Sequence, residues 1–272
     1  MLRSINEIIG YTLFAKENGV GKCKDLLFDD QVWTVRHMVA DTGGWLLGKK
    51  VLVSPVMVQK IDWQMQSVFL DITREQLEEC PSLLEDEPVS REHEIKMFQY
   101  LKYPYYWADD GLWGHSAYPA VMTHIPEESA QKVDEEIVEE LQAQDREENH
   151  LRSCKELNGY DIEASDGNIG HVEDFILEDK TWALRYVVVD TRNWLPGGKK
   201  VMLSLNWVKK VSWEESTLFL DISKEKVENS PEFDPEQPIN TEYETQLYDY
   251  YGRPFEKNIT KKLQAMIANP FK

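Results

Sequence analysis

The sequence predicts a mainly β protein with accessory helices, built from two tandem small β-barrels. Three observations favour this fold class. The chain contains a long internal repeat, each copy holds a series of short strand-like segments, and no helical pattern interrupts that series. Hydrophobic residues make up 42% of the 272 residues, so each copy is able to bury a core.

The repeat relates residues 2–104 to residues 151–254. One residue is inserted near Gly197, so the two copies align with a single gap. Across this alignment 37 of 103 positions are identical. Chance supplies only a handful of identities over such a length, and the sequence therefore indicates a duplicated domain.

Six short strands are predicted in the first copy, from apolar runs that are bounded by glycine and aspartate turns. They are residues 11–15, 21–28, 34–40, 50–54, 56–63 and 68–72. The second copy repeats the set. Its continuous apolar run at 184–190 is typical of a strand that is buried on both faces. Short strands without intervening helices favour closed barrels, because closure removes exposed edges.

Two helical segments follow each series of strands. The first is a short turn that Thr73 begins as a capping box with Gln76. The second helix is expected at about 91–101 in the first copy and at about 242–251 in the second. We expect Ser90 and Thr241 to cap it. His93 is replaced by tyrosine in the second copy, so a packing role is favoured over a ligand role.

Charge and helical spacing divide the chain into three regions. Residues 1–118 and 151–272 are the repeats, with net charges of −6 and −5, and the second ends in a predicted C-terminal helix. The connecting region, 119–150, carries −8 and predicts an acidic helix at about 126–145 with one narrow apolar stripe. We expect the two copies to pack as an intramolecular pseudo-dimer.

Short motifs recur in the same order in both copies. In the first they are Gly-Tyr at 10–11, Gly-x-x-x-Asp at 21–25, Asp-Thr-x-x-Trp-Leu at 41–46, Gly-Lys-Lys-Val at 48–51 and Leu-Asp-Ile at 70–72. This order resembles the PRC-barrel family, which includes the cytoplasmic domain of the photosynthetic reaction-centre H subunit and the C-terminal barrel of RimM-type ribosome maturation factors. The resemblance implies a small β-barrel that serves protein interaction or assembly, and it implies no catalytic residues.

One motif imitates a phosphate-binding loop. Residues 43–50 match G-x-x-x-x-G-K, but Lys50 stands where magnesium binding needs serine or threonine. A predicted strand follows this motif, whereas phosphate binding needs the N-terminus of a helix. We interpret the motif as a turn between strands, with the lysine pairs 49–50 and 199–200 as solvated strand starts or small basic spots. Asp41 and Asp190 are expected to cap turns.

The remaining chemistry-bearing residues form no recognisable site. None of the six histidines has a partner at helical ligand spacing, and the three cysteines share no short spacing. We therefore expect no metal, no cofactor and no enzymatic activity, and reduced thiols in a cytoplasmic protein.

The net charge of −19 argues against nucleic-acid binding, which requires a basic surface. No apolar run approaches the ~20 residues that a membrane span requires, so we expect no integral membrane segment.

An aromatic segment follows the second helix of the first copy. Its members are Tyr103, Tyr105, Tyr106, Trp107 and Trp113. As an exposed patch it would anchor a protein partner, because tyrosine and tryptophan are favoured in interface hot spots. Alternatively, it packs against its own barrel or fills the groove between the copies.

These observations favour a non-enzymatic module for protein assembly or regulation, with a protein partner of unknown identity. One alternative is a small-ligand sensor or an enzyme with a cleft between the copies. A further alternative, which rests only on kinship with the reaction-centre subunit, is a peripheral accessory of a photosynthetic or electron-transfer complex.

Overall fold

The computed structural model describes residues 1–16, 18–43, 49–81, 83–84, 88–107, 111–122 and 150–255. The acidic helix predicted at 126–145, the predicted C-terminal helix and the turn at 44–48 lie outside these residues. The described chain is mainly β, as predicted. It divides into two compact units.

The N-terminal half is a series of short strands that ends in helices. Its strands are β1 Leu2–Ser4, β2 Thr12–Ala15, β3 Asn18–Asp29, β4 Thr34–Asp41, β5 Lys49–Val53, β6 Val58–Asp62, β7 Ser67–Leu70 and β8 Leu83–Leu84. Its helices are α1 Ile5–Ile8, α2 Arg74–Glu79, α3 Arg91–Leu101 and α4 Pro119–Met122, with a 3-10 turn at Pro55–Met57.

The C-terminal half follows the same order. Its strands are β9 Leu151–Ser153, β10 Asp161–Ala164, β11 Gly167–Glu178, β12 Leu184–Asp190, β13 Lys200–Ser204, β14 Val208–Ser212 and β15 Thr217–Leu220. Its helices are α5 Cys154–Leu157, α6 Lys224–Glu228 and α7 Thr241–Tyr251, with a 3-10 turn at Leu205–Trp207.

The two sheets have the same strand order, which is consistent with duplication. One runs β6-β7-β2-β3-β4-β5-β8, and the other runs β13-β12-β11-β10-β15-β14. In each sheet one neighbouring pair is parallel, β2 with β7 and β10 with β15, and the other pairs are antiparallel. Every residue of β12 is buried, as its continuous apolar run predicts.

The prediction of closed barrels is wrong. In neither sheet do the end strands pair with each other within the described residues. Short segments cover one edge instead: β8 pairs with β5, and the Phe233 amide donates to the Lys200 carbonyl at 2.8 Å. The opposite edge carries exposed lysines, Lys60 on β6 and Lys209 and Lys210 on β14. Exposed charged side chains disfavour the pairing of a further strand with this edge, so the edge is tolerated without closing the sheet into a barrel.

Each sheet is completed by a three-residue strand from the other repeat. β1 pairs with β11 in antiparallel register, with Arg3 opposite Leu177, and β9 pairs with β3. The second unit accordingly contains Met1–Glu7 together with Ser153–Asp179 and 183–255. The first unit contains the described part of 8–152 and Lys180–Trp182. The expected packing of the two copies as a pseudo-dimer stays a prediction.

The longer helices begin where a side chain accepts a hydrogen bond from an amide of the first turn. α2 begins at the Thr73–Gln76 capping box, and the Ser90 hydroxyl accepts the His93 amide hydrogen at the start of α3, as predicted. In the second copy the prediction was one residue out. The Asn240 side chain, rather than Thr241, accepts the Tyr243 amide hydrogen at 2.9 Å.

The Gly-x-x-x-Asp motif begins with a close approach between strands. A Cβ atom on Gly21 would lie 2.3 Å from the Asp41 carbonyl oxygen, and one on Gly170 would lie 2.0 Å from that of Asp190. Both glycines also have positive φ, +141° and +124°. Only glycine fits at these two positions.

Candidate functional site

The predicted aromatic segment lies largely in the interior of the first unit. Tyr105, Tyr106 and Trp113 are buried, and Tyr103 and Trp107 are half-buried. An exposed patch therefore does not describe the three buried side chains, which pack within their own unit as the alternative interpretation expected. Whether this segment takes part in partner binding stays a prediction.

Phe98 of α3 is the centre around which these aromatic rings pack. Its ring centroid lies 5.9 Å from that of Tyr106 and 5.7 Å from that of Trp107, in edge-to-face geometry. Trp113 meets Tyr106 at 5.9 Å, and its indole N–H donates to the Thr181 carbonyl at 2.8 Å. The ring contacts with Phe98 and the bond from Trp113 to Thr181 therefore hold the segment that follows α3 in the interior.

A buried polar network lies beside the rings. Glu94 of α3 receives hydrogen bonds from His37 Nε2 at 2.7 Å, from Arg91 Nη1 at 2.9 Å and from the Tyr106 hydroxyl at 2.9 Å. Only 2% of Glu94 is exposed, and His37 is fully buried. A carboxylate with three donors is satisfied within the protein itself.

A second cation extends this network. The Arg36 guanidinium stacks over the Tyr106 ring at 4.0 Å and over the Trp113 ring at 4.9 Å. It also pairs with Asp29 at 3.4 Å and donates to the Leu112 carbonyl. Arg36 thus joins β4 to the aromatic segment through ring faces, a carboxylate and the backbone.

The surroundings shift the pKa values of Glu94 and Tyr106 in opposite directions. Burial opposes ionisation of Glu94, but its bond from His37 and the charge of Arg91 outweigh that effect, and the pKa of Glu94 is lowered. Burial and the nearby Glu94 charge raise the pKa of Tyr106 well above its ordinary value. Near neutral pH the site therefore holds a carboxylate and a neutral phenol.

The same pattern recurs in the second unit. Glu244 of α7 accepts the Tyr186 hydroxyl hydrogen at 2.5 Å and lies 3.5 Å from Arg185. These residues align with Glu94, His37 and Arg36 in the repeat. The arginine and the glutamate recur as residues, whereas tyrosine replaces the histidine. The contact that recurs is the hydrogen bond from the strand residue, His37 or Tyr186, to the glutamate of the helix, and it docks the helix on the sheet. The arginine contacts differ, because Arg36 pairs with Asp29 whereas Arg185 lies near Glu244.

The signal for this network is present in the sequence. Arg36 and Glu94 are among the identities between the copies, and a charged residue that recurs on a buried strand indicates a buried pair. The partners could not be assigned, because His37 and Glu94 are 57 residues apart in the chain.

Comparison with protein families gives one match, within the second repeat. Residues 150–227 match the model of the PRC-barrel domain family. The match covers β9 to Val227 in α6 and supports the resemblance for the second copy. No curated protein matches the chain.

A surface cavity lies within the second unit. Its volume is about 540 Å³, and its lining includes Asp190, Arg192, the lysine pair 199–200 and Phe233. The lysine pair predicted as solvated strand starts therefore lines a recess.

The cations of this recess have partners. Lys199 Nζ donates to the carbonyls of Glu228 and Ser230, both at 2.6 Å. Lys200 Nζ meets Glu173 at 2.6 Å, and Arg192 pairs with Asp190. Burial lowers the pKa of Lys199. Because these charges are paired, the recess offers mixed polar groups rather than a free basic spot.

The predicted turn caps are confirmed. The Asp41 carboxylate accepts the Gly43 amide hydrogen at 3.1 Å, and the Asp190 carboxylate accepts that of Arg192 at 2.9 Å. Among the described residues no group of three or more His, Cys, Asp or Glu side chains is placed to hold a metal ion. None of the helices in the described ranges is long and apolar enough to cross a membrane.

Proposed function

We propose that this protein is a non-enzymatic module for protein assembly or regulation. The match of the second repeat to the PRC-barrel domain supports a small β module as its basis. The polar network supports a structural role for its ionisable groups, because Arg91 bonds Glu94, and Arg36 stacks on the Tyr106 ring and donates to the Leu112 carbonyl.

The observation that carries the proposal is an exposed apolar pair at the end of the anchored aromatic segment. Trp113 and Tyr106 are buried in the interior, and α4 then lies against the 3-10 turn at Pro55–Met57, with its own Pro119 and Met122 buried. Beside these buried residues Tyr118 is 46% exposed and Val121 is 53% exposed. An exposed tyrosine with an adjacent aliphatic side chain suits an interface hot spot. We add Tyr103 and Trp107 to this proposed interface, because both were predicted to bind a partner and both are partly exposed.

The test is a pull-down with the full chain and two matched variants. We expect the wild-type chain to retain a stoichiometric protein partner that the double variant Tyr118→Ser/Val121→Ser loses. Met65→Ser is the control, because Met65 is 69% exposed in the turn between β6 and β7 and is equally apolar. Retention by Met65→Ser with loss by the double variant supports the proposal. Equal retention by both variants, or no stoichiometric partner at all, contradicts it.

The second candidate is a sensor for a small polar ligand, and the recess in the second unit favours it. Its arginine, lysines and carboxylates surround Phe233, which would give a ligand one apolar contact. Native mass spectrometry of the chain tests this. A bound small molecule that Arg192→Gln weakens and the exposed control Lys209→Gln retains supports a sensor, and a chain free of small molecules contradicts it.

A further inference from the structure

Two buried polar atoms of the first unit stand outside the hydrogen bonds described above. They are His37 Nδ1 and the Ser54 hydroxyl oxygen, and neither has a hydrogen-bond partner among the residues that the structure describes. Both side chains are fully buried. Buried polar atoms are nearly always bonded, either to protein or to ordered water, so this pair requires a partner.

The two side chains are cross-strand neighbours. β4 pairs with β5 in antiparallel register, and the last pair of this register is Met38 opposite Val53. Its continuation by one residue places His37 opposite Ser54. Residues directly opposite each other in antiparallel strands project from the same face, with Cβ atoms about 4.5–5.5 Å apart. The two unpaired atoms therefore lie on one face, close enough for a single bridging molecule.

The second copy shows what bonds this serine when it has a partner. The register pair there is Tyr186 opposite Ser204, and Tyr248 of α7 places its hydroxyl 2.9 Å from Ser204 Oγ. In the first copy Phe98 of α3 stands at the position of Tyr248. The serine is thus common to both copies, whereas the phenol oxygen that bonds it belongs to the second copy.

We propose that the first unit binds one buried water molecule at the place of this phenol oxygen, where it bridges Ser54 Oγ and His37 Nδ1. The oxygen atoms of water and phenol are similar in size, so the exchange of tyrosine for phenylalanine leaves room for a single water. Two polar partners are enough to hold a buried water. Because His37 Nε2 bonds Glu94 at 2.7 Å, the water and the imidazole together join the end of β5 to α3.

The chemistry of the two atoms favours water over another ligand. A serine hydroxyl both donates and accepts, and an imidazole nitrogen donates or accepts according to whether it carries hydrogen. Water can meet either need at both partners. The complete burial of both side chains disfavours an ion, because an unpaired buried charge is costly. Room for one oxygen atom also excludes an organic ligand.

High-resolution crystal structures of the full chain and of two variants test the proposal. In the wild type we expect electron density for one water molecule within about 3.2 Å of both Ser54 Oγ and His37 Nδ1. Phe98→Tyr should lose this water, because its hydroxyl takes the place beside Ser54, as that of Tyr248 does beside Ser204. Ser54→Ala should lose it as well, because a single polar partner remains.

Ser204→Ala is the matched control, since it removes the equivalent hydroxyl in the second unit and should leave the water of the first unit in place. The wild-type density decides the proposal even where a variant does not fold. A wild-type structure with no water in contact with both atoms overturns it, and so does a water that keeps its place in Phe98→Tyr or in Ser54→Ala.

Discussion

At the scale of single residues, glycines in the motifs shared by the two copies are required for different physical reasons. Gly170 and Gly159 both have positive φ, +124° and +90°, so both favour glycine. They differ in their surroundings. A Cβ atom on Gly170 would meet the Asp190 carbonyl oxygen, whereas one on Gly159 would meet nothing within 4 Å.

We therefore expect Gly170→Ala to be the more damaging of two matched substitutions. Gly159→Ala adds only backbone strain and should lower the free energy of unfolding by about 1–2 kcal/mol. Gly170→Ala adds a backbone collision and should lower it by about 3 kcal/mol or more. Chemical denaturation of both variants measures this difference, and equal losses would contradict the close approach.

The buried network gives a second prediction at this scale. Glu94→Ala leaves the buried side chains of His37 and Tyr106, and the half-buried Arg91, without their carboxylate acceptor and should cost about 3–5 kcal/mol of unfolding free energy. Glu92→Ala on the exposed face of α3 should change it by about 0.5 kcal/mol or less, since its ion pair with Lys96 is on the surface. Denaturant midpoints of both variants supply the comparison, and similar losses would show that Glu94 is not held by the network.

The lowered pKa of Glu94 also sets the sign of a pH effect. The ionised carboxylate is favoured in the folded state, so its contribution is present above the ordinary glutamate pKa of about 4.3 and is lost as the pH falls through the folded value. The stability difference between wild type and Glu94→Gln should therefore shrink on strong acidification. A difference that grows at low pH would contradict this assignment.

At the scale of elements, much of the fold was predictable from local patterns. The strands at 34–40 and 184–190 and the helix at 91–101 were predicted almost to the residue, because apolar runs and capping side chains act within a few residues. β1 was not predicted. A three-residue strand has no periodicity, and since its sequence recurs at 151–153, nothing local decides which sheet it joins.

The cap of α7 provides a test of local chemistry. Asn240→Ala removes the acceptor for the Tyr243 amide hydrogen and should cost about 1 kcal/mol. Thr241→Ala, one residue later on the exposed side of the helix, should cost less than about 0.5 kcal/mol. Thermal unfolding of the two variants distinguishes them, and a larger loss for Thr241→Ala would restore Thr241 as the cap predicted from the sequence.

The aromatic segment shows why the site was harder to predict than the fold. Its composition fits both an interface and an interior, and the choice depends on distant partners such as Arg36 and Thr181. Composition alone cannot supply those contacts. The exposed pair Tyr118 and Val121, in contrast, follows the segment without any unusual pattern of its own.

At the scale of the whole molecule, the charge of −19 predicts weak interaction with polyanions. Each phosphate contact contributes about 0.9 units to the salt dependence of binding, which requires clustered basic groups. The cations around the recess, Lys199, Lys200 and Arg192, are already paired. We expect no measurable RNA affinity near physiological salt in gel-shift titrations, and a micromolar, salt-sensitive shift would contradict this.

The central structural claim is that the sheet of the second unit is completed by the N-terminal strand of the first repeat. Nuclear Overhauser contacts in the isotope-labelled full chain test it most directly. We predict cross-strand contacts between Arg3 and Leu177, the observed register pair. Contacts between Arg3 and Phe28, the position equivalent to Leu177 in its own repeat, would contradict the exchange.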